Sequence, residues 1–250
     1  PAVEQAARAA FDEGVRLEAA GNLGGAAAAF ERAAATNPEL AWAGLNAGLL
    51  REREGDDRGA AAAYERTLEA RPDFAPAGQN LARLWLRQGK GADGERELQA
   101  RLAKADGVAL RVALAELLLA RGDLEGAEAE CRAALKADEK NVPAMVVLAT
   151  TYGRKKRYEL ARMVLENARQ VDGADPAVLN RLGFVEMALG NRVQALEHFR
   201  TAAALRPDYP EAHANYGALL ADADDFAGAA QELELAVKYG PRSAGAWLNL

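Results

Sequence analysis

The sequence predicts an all-α fold, a solenoid of antiparallel helix pairs, and three observations carry that prediction. A motif returns along the 250 residues, marked by the turn glycines Gly21, Gly55, Gly89, Gly122 and Gly190, which step by 34, 34, 33 and then twice 34 residues. Between these glycines the apolar residues recur with the period of a helix rather than of a strand. Small and large apolar residues come back at fixed places in each copy, which makes every copy one structural unit. Self-similarity at this period is the signature of units that bury their core by stacking on one another.

Each element follows from its local chemistry. The stretches "GNLGGAAAAFERAAATNP" (21–38), "GDDRGAAAAYERTLEARP" (55–72), "GDLEGAEAECRAALKADE" (122–139) and "GNRVQALEHFRTAAALRP" (190–207) align without gaps. The glycine ends the first helix of a unit because it reaches the left-handed conformation; Lys156 and Asp224 occupy the same slot. Asn22, Asp56, Asp123 and Asn191 come next, placed to cap the free amides of the second helix. Pro38, Pro72, Pro207 and Pro241 stop that helix, since proline cannot continue the hydrogen-bond ladder. Units therefore read helix, tight turn, helix. Seven of them begin at residues 7, 41, 75, 108, 142, 176 and 210, within one domain over 1–250, and a truncated eighth begins at 244 with Trp247, Asn249 and Leu250.

The first helices carry Gly14, Gly48, Ala82, Ala115, Ala149, Gly183 and Gly217 at one position, and the second helices carry small residues such as Ala26, Ala60 and Gly94 at another. Small facing small predicts close approach within a unit. Phe30, Tyr64, Leu98, Cys131, Leu165, Phe199 and Leu233 recur further along the second helix, where they are expected to fill space toward neighbouring units. The unit at 75 is one residue short, with Gly94 and Arg101 where most units have alanine. That predicts a loosened or re-angled joint.

The spacing of Leu182, Gly183, Gly190, Ala195, Phe199, Ala202 and Pro207 resembles the tetratricopeptide repeat, and the resemblance runs from residue 7 to the end. It implies a right-handed superhelix whose first helices line a concave groove. It also implies a non-catalytic scaffold or adaptor that binds a peptide or partner helix there.

Composition narrows the classes further. A net charge of −6 and a pI near 5.2 argue against nucleic acid as partner, because phosphate binding needs a clustered positive surface. No run approaches the roughly 20 apolar residues of a membrane helix. No cofactor or metal is expected. The lone serine, Ser243, has no histidine after it, His198 and His213 sit on different helices, and Cys131 occupies a core position. The chain starts at Pro1 rather than Met, as a processed leader or an expression fragment would leave it. With an Arg-rich, GC-type composition, this favours a bacterial envelope setting, periplasmic or attached to the outer membrane as in repeat lipoproteins of secretion, pilus or motility machines. A substrate-selecting arm of a larger enzyme is the alternative, and self-association is open.

The sixth, ninth and thirteenth residues of a first helix share one stripe. In the unit at 75 these are Asn80, Arg83 and Arg87; the unit at 41 adds Asn46, with Trp42 and Leu45 nearby. An asparagine amide donates and accepts at once and so grips a peptide backbone, while the arginines suit a carboxylate. Asn180, Arg181 and Phe184 form a second patch. Asn46, Asn80, Asn215 and Asn249 resemble the asparagine ladder of O-GlcNAc transferase repeats, interrupted by Ala113, Val147 and Arg181. The carboxylate clamp that holds chaperone C-termini does not transfer, because Phe11 and Val15 stand at its places. Phe11, Leu45, Leu49, Val112, Leu119, Val146, Phe184 and Met187 predict an apolar wall, exposed or packed between first helices. The turn "GRKKRYE" (153–159) is a basic cluster for an acidic partner or lipid headgroups, or simply a solvated turn.

Overall fold

A computed structural model describes residues 2–72, 74–104 and 106–240. These residues form fourteen α-helices and no strand. In chain order the helices are α1 (Ala2–Ala19), α2 (Leu23–Thr36), α3 (Ala41–Glu54), α4 (Asp57–Ala70), α5 (Ala75–Arg87), α6 (Gly91–Lys104) and α7 (Val108–Arg121). They continue with α8 (Leu124–Ala137), α9 (Val142–Arg154), α10 (Tyr158–Val171), α11 (Pro176–Ala188), α12 (Arg192–Leu205), α13 (Pro210–Ala221) and α14 (Phe226–Tyr239). Contacts divide the chain into two compact units, Pro1–Glu139 and Lys140–Leu250, so that α1–α8 make four helix pairs in the first and α9–α14 make three in the second. The expected eighth repeat, with Trp247, Asn249 and Leu250, lies outside the described residues, as does Pro241.

The turn inside each pair is set by one left-handed residue. Gly55 (φ 81°) and Gly122 (φ 88°) end α3 and α7, their N–H groups donating to carbonyls of the last turn. In the second unit the same conformation is imposed on two residues with side chains, Lys156 (φ 59°) and Asp224 (φ 64°). Asn22, Asp56, Asp123 and Asp225 then cap the next helix, each side-chain oxygen accepting from the backbone N–H three residues on, at 2.8–3.0 Å. Asn191 departs from the sequence reading. It makes no cap; its Nδ2 donates instead to Oε2 of the buried Glu186 at 2.6 Å, a carboxylate that needs a donor more than the exposed amides do.

Four glycines of the first helices are covered by large residues, and Gly217 also lies against the backbone of Ala229. Each of the four receives the large side chain of its own partner helix. A Cβ on Gly14 would stand 2.8 Å from the Phe30 ring, one on Gly183 2.5 Å from Phe199, and one on Gly217 2.9 Å from Leu233; Gly48 is covered as closely by Tyr64. The large residues therefore lock pairs from within rather than only bridging units, because a helix surface without a Cβ accepts a ring lying on it.

The third pair breaks this rule. α5 packs mainly on α7 and only lightly on its own partner α6. Gly78 faces Ala113 and the Ala109 carbonyl of α7, whereas Gly44, four residues into α3 as Gly78 is into α5, meets Thr67 of its own partner helix. Arg101 takes the place of that small residue in α6 and pairs with Glu97 at 2.9 Å and Glu69 at 3.9 Å. Gly94 is what allows the Trp85 ring to lie on α6, its missing Cβ falling 2.6 Å from the ring. A half-buried carboxylate marks the α5–α7 seam: Gln79 Nε2 donates to Glu116 Oε1 at 3.1 Å. Burial pushes the Glu116 carboxyl up to about 7, against the Gln79 hydrogen bond and the nearby Arg83 charge.

Two outcomes follow from these positions. Replacing Lys156 by glycine should stabilise the second unit by about 1 kcal/mol, since a side chain in the left-handed region carries that cost; urea denaturation reads it. Glu116 holds a proton in the fold over a range where the unfolded chain, with a carboxyl near the usual ~4.3, has lost it. Stability of the first unit should therefore fall as pH rises from about 4.5 to 7. Glu116→Gln should remove that slope, unfolding with the wild type at pH 4 and roughly 2–3 kcal/mol later at pH 8.

Candidate functional site

The candidate surface of the first unit lies on α3 and α5. Trp42 is 60% exposed at the start of α3, held edge-on by Phe74 with ring centroids 5.1 Å apart. Asn46 follows one turn later, half-buried beside a cleft of about 390 Å³ that Glu18, Leu49, Leu50, Glu52 and Arg53 complete. On α5 the exposed Arg83 donates to Asn80 Oδ1 at 2.6 Å and, among the described residues, enters no ion pair. Trp42 and Arg83 are thus exposed and Asn46 and Asn80 half-buried, with Leu49 lining the cleft beside Asn46.

Two other residues expected there are spent inside the fold. Leu45 is only 4% exposed and belongs to the core of α3. Arg87 is exposed but occupied: Nη1 donates to Glu52 Oε2 at 2.8 Å and Nη2 to Asp57 Oδ1 at 2.9 Å. Glu52 also accepts from the Tyr64 hydroxyl at 2.6 Å, and Asp57 from Gln88 at 3.2 Å. Burial and this carboxylate hold the Tyr64 hydroxyl well above the usual phenol range, while the Gln88 and Arg87 hydrogen bonds hold Asp57 below the usual carboxylate range. Arg87 is therefore a tie between α3, α4 and α5 rather than a clamp for a partner.

The second patch divides in the same way. Asn180 is 3% exposed; its Oδ1 accepts from Asn215 Nδ2 at 2.9 Å, and its Nδ2 donates to the Tyr209 hydroxyl at 3.4 Å. The asparagines of α11 and α13 bind one another and do not offer a ladder. Arg181 and Phe184 are exposed, and both line a pocket of about 300 Å³. Its other walls are Ala149, Thr150, Gly153 and Arg154 of α9, Tyr158 and Leu165 of α10, and Val185. Phe184 is 47% exposed and lies edge-on to Phe199 at 5.5 Å.

Sequence reasoning missed the α9 side of this pocket. The basic turn that starts at Gly153 was visible, but nothing in one helix's pattern tells that it faces Phe184 of the next first helix. The expected apolar wall is not continuous either. Val112 and Leu119 are buried, Phe11 packs edge-on against Phe30, and Leu49 and Phe184 are the members that reach the surface. Cys131 is fully buried and its thiol is pushed up to about 12 by burial, which makes it a packing group at neutral pH.

Comparison with known proteins accords with this geometry. Two tetratricopeptide-repeat family models match, one over residues 80–142 and one over 186–250, together about half of the chain. No curated protein sequence matches. Among solved structures, a tetratricopeptide repeat protein from Parabacteroides merdae is similar over 98% of both chains, with a TM-score of 0.68 at 15% identity. A thermophilic TPR protein of Thermus thermophilus aligns over 72% of this chain and 99% of its own, with a TM-score of 0.60 at 19% identity. MamA of Desulfovibrio magneticus aligns over 69% and 98%, with a TM-score of 0.53 at 21% identity. At these identities the likeness is one of fold, an all-α solenoid of helix pairs. With its seven helix pairs and its 34-residue period, the chain belongs to the tetratricopeptide-repeat superfamily.

Proposed function

We propose that the protein is a non-catalytic interaction scaffold whose first helices bind a peptide or a partner helix. The observation that carries this reading is the exposure of two aromatic side chains, Trp42 and Phe184, on first helices. Exposed aromatics next to unsaturated polar groups are the residues that anchor partners. Asn46 and Asn80 can hold a backbone, and Arg83 enters no ion pair among the described residues. The fold family supports the same class, since repeats of this kind generally mediate protein–protein contacts.

The reading is tested by placing a photo-crosslinking benzophenone side chain at position 42 on α3 and, in a second variant, at position 96 on α6. Irradiation in lysate of the source cells should give one defined adduct from position 42, lost on combining Asn46→Ala with Arg83→Ala, and none from position 96. Adducts from position 96 alone would move the binding surface to the second helices.

A further inference from the structure

We propose that the pocket between α9 and α11 takes one large apolar side chain of a partner polypeptide, with an acidic residue beside it on Arg181. The inference deepens the scaffold reading and rests on it, but it concerns the second unit and a different set of side chains from the α3–α5 surface.

Three observations point to this occupant. The first is shape and lining. The floor is apolar, made by Ala149, Leu165 and Val185, and Phe184 and Tyr158 stand at its sides. At about 300 Å³ it is at the lower limit of ligand sites, the size for a single anchoring side chain rather than a cofactor.

The second is charge. The pocket lining holds two arginines and, among the described residues, no carboxylate. Clefts of the first unit differ: one has Glu18 and Glu52 in its walls, another Glu31 and Glu69. The contrast extends to the surroundings. Residues 153–162 hold five basic side chains and a single acidic one, Glu159, which is itself paired with Arg162 at 2.5 Å. The first unit carries 18 basic against 24 acidic residues, the second 13 against 13, so this positive patch lies on the unit without net charge. Arg181 makes no ion pair among the described residues. An acidic segment is the complement of Arg181, whose guanidinium suits a carboxylate.

The third is Gly153. It lies within α9, one residue from the helix end, with an ordinary helical backbone, and a Cβ placed on it would meet nothing within 4 Å. Neither backbone conformation nor packing calls for glycine there. What its absent side chain does is leave the pocket open.

Gly153 also supplies the test. Gly153→Leu adds a side chain into open space, so the fold should hold or gain stability while the pocket fills. The probe is a fluorescein-labelled pentapeptide with a central phenylalanine and two acidic residues on each side, titrated with the full chain and followed by anisotropy. Wild type should bind it at least tenfold more tightly than the same peptide with a central alanine or with lysine flanks. Gly153→Leu should lose at least tenfold, with thermal unfolding unchanged or later. Arg181→Gln should lose a similar factor and weaken the salt dependence. Equal binding by Gly153→Leu, or no preference for the acidic peptide, would overturn the proposal. So would binding of vesicles containing phosphatidylglycerol in place of the peptide, or concentration-dependent self-association abolished by Gly153→Leu. Crosslinking from position 42 is read independently, so the pocket can fail while the scaffold stands.

Discussion

Four of the seven helix pairs depend on one steric relation, a glycine of a first helix covered by a large side chain of its partner. Gly14 under Phe30, Gly48 under Tyr64, Gly183 under Phe199 and Gly217 under Leu233 bring two helices close enough that a turn of two to four residues joins them. With that contact made, the remaining faces of the pair are committed: one to the neighbouring pair, the other to solvent. A Cβ at any of the four would meet a ring or a branched carbon at 2.9 Å or less, and cores of this density do not absorb such a group without moving. The third pair, with Trp85 on Gly94 and Arg101 in a small residue's place, shows the alternative, a first helix that turns to the next pair for its contacts.

Polar groups on the first helices have two fates, and the difference decides where binding is available. Glu52, Tyr64, Arg87 and Asp57 satisfy one another across three helices, and Asn180 and Asn215 close on themselves. Among the described residues no buried side-chain nitrogen or oxygen is left without a partner. Such networks order the faces they occupy and remove them from recognition. What stays on offer is limited: Trp42, Asn46, Asn80 and Arg83 in the first unit, and the Arg181–Phe184 pocket in the second. Both sit on helices whose backs are locked, so a partner meets surfaces already in place and the ordering cost of binding is small.

Much of this was legible in the sequence. The period, the turn glycines and the helical spacing are local signals, and the first helices begin at Ala41, Ala75, Val108, Val142, Pro176 and Pro210. Even the left-handed slot could be followed to Lys156 and Asp224 by counting. Quantities that need a second helix were not legible. Leu45 and Trp42 look alike in a repeat pattern, yet three residues of rotation put one in the core and the other in solvent. Asn180 and Asn215 are both plausible contact amides until the structure puts them 2.9 Å apart. Gly94 reads as a packing defect in one helix and as the seat of Trp85 in two.

The central claim is that the first-helix faces are formed before any partner arrives. Amide hydrogen exchange on the free protein, read by mass spectrometry, tests it most directly. The account predicts that α3, α9 and α11 exchange as slowly as their partners α4, α10 and α12, because each pair opens as one cooperative body. Rapid exchange confined to the first helices, with protection in the second, would mean that these surfaces form only on binding, and would contradict it.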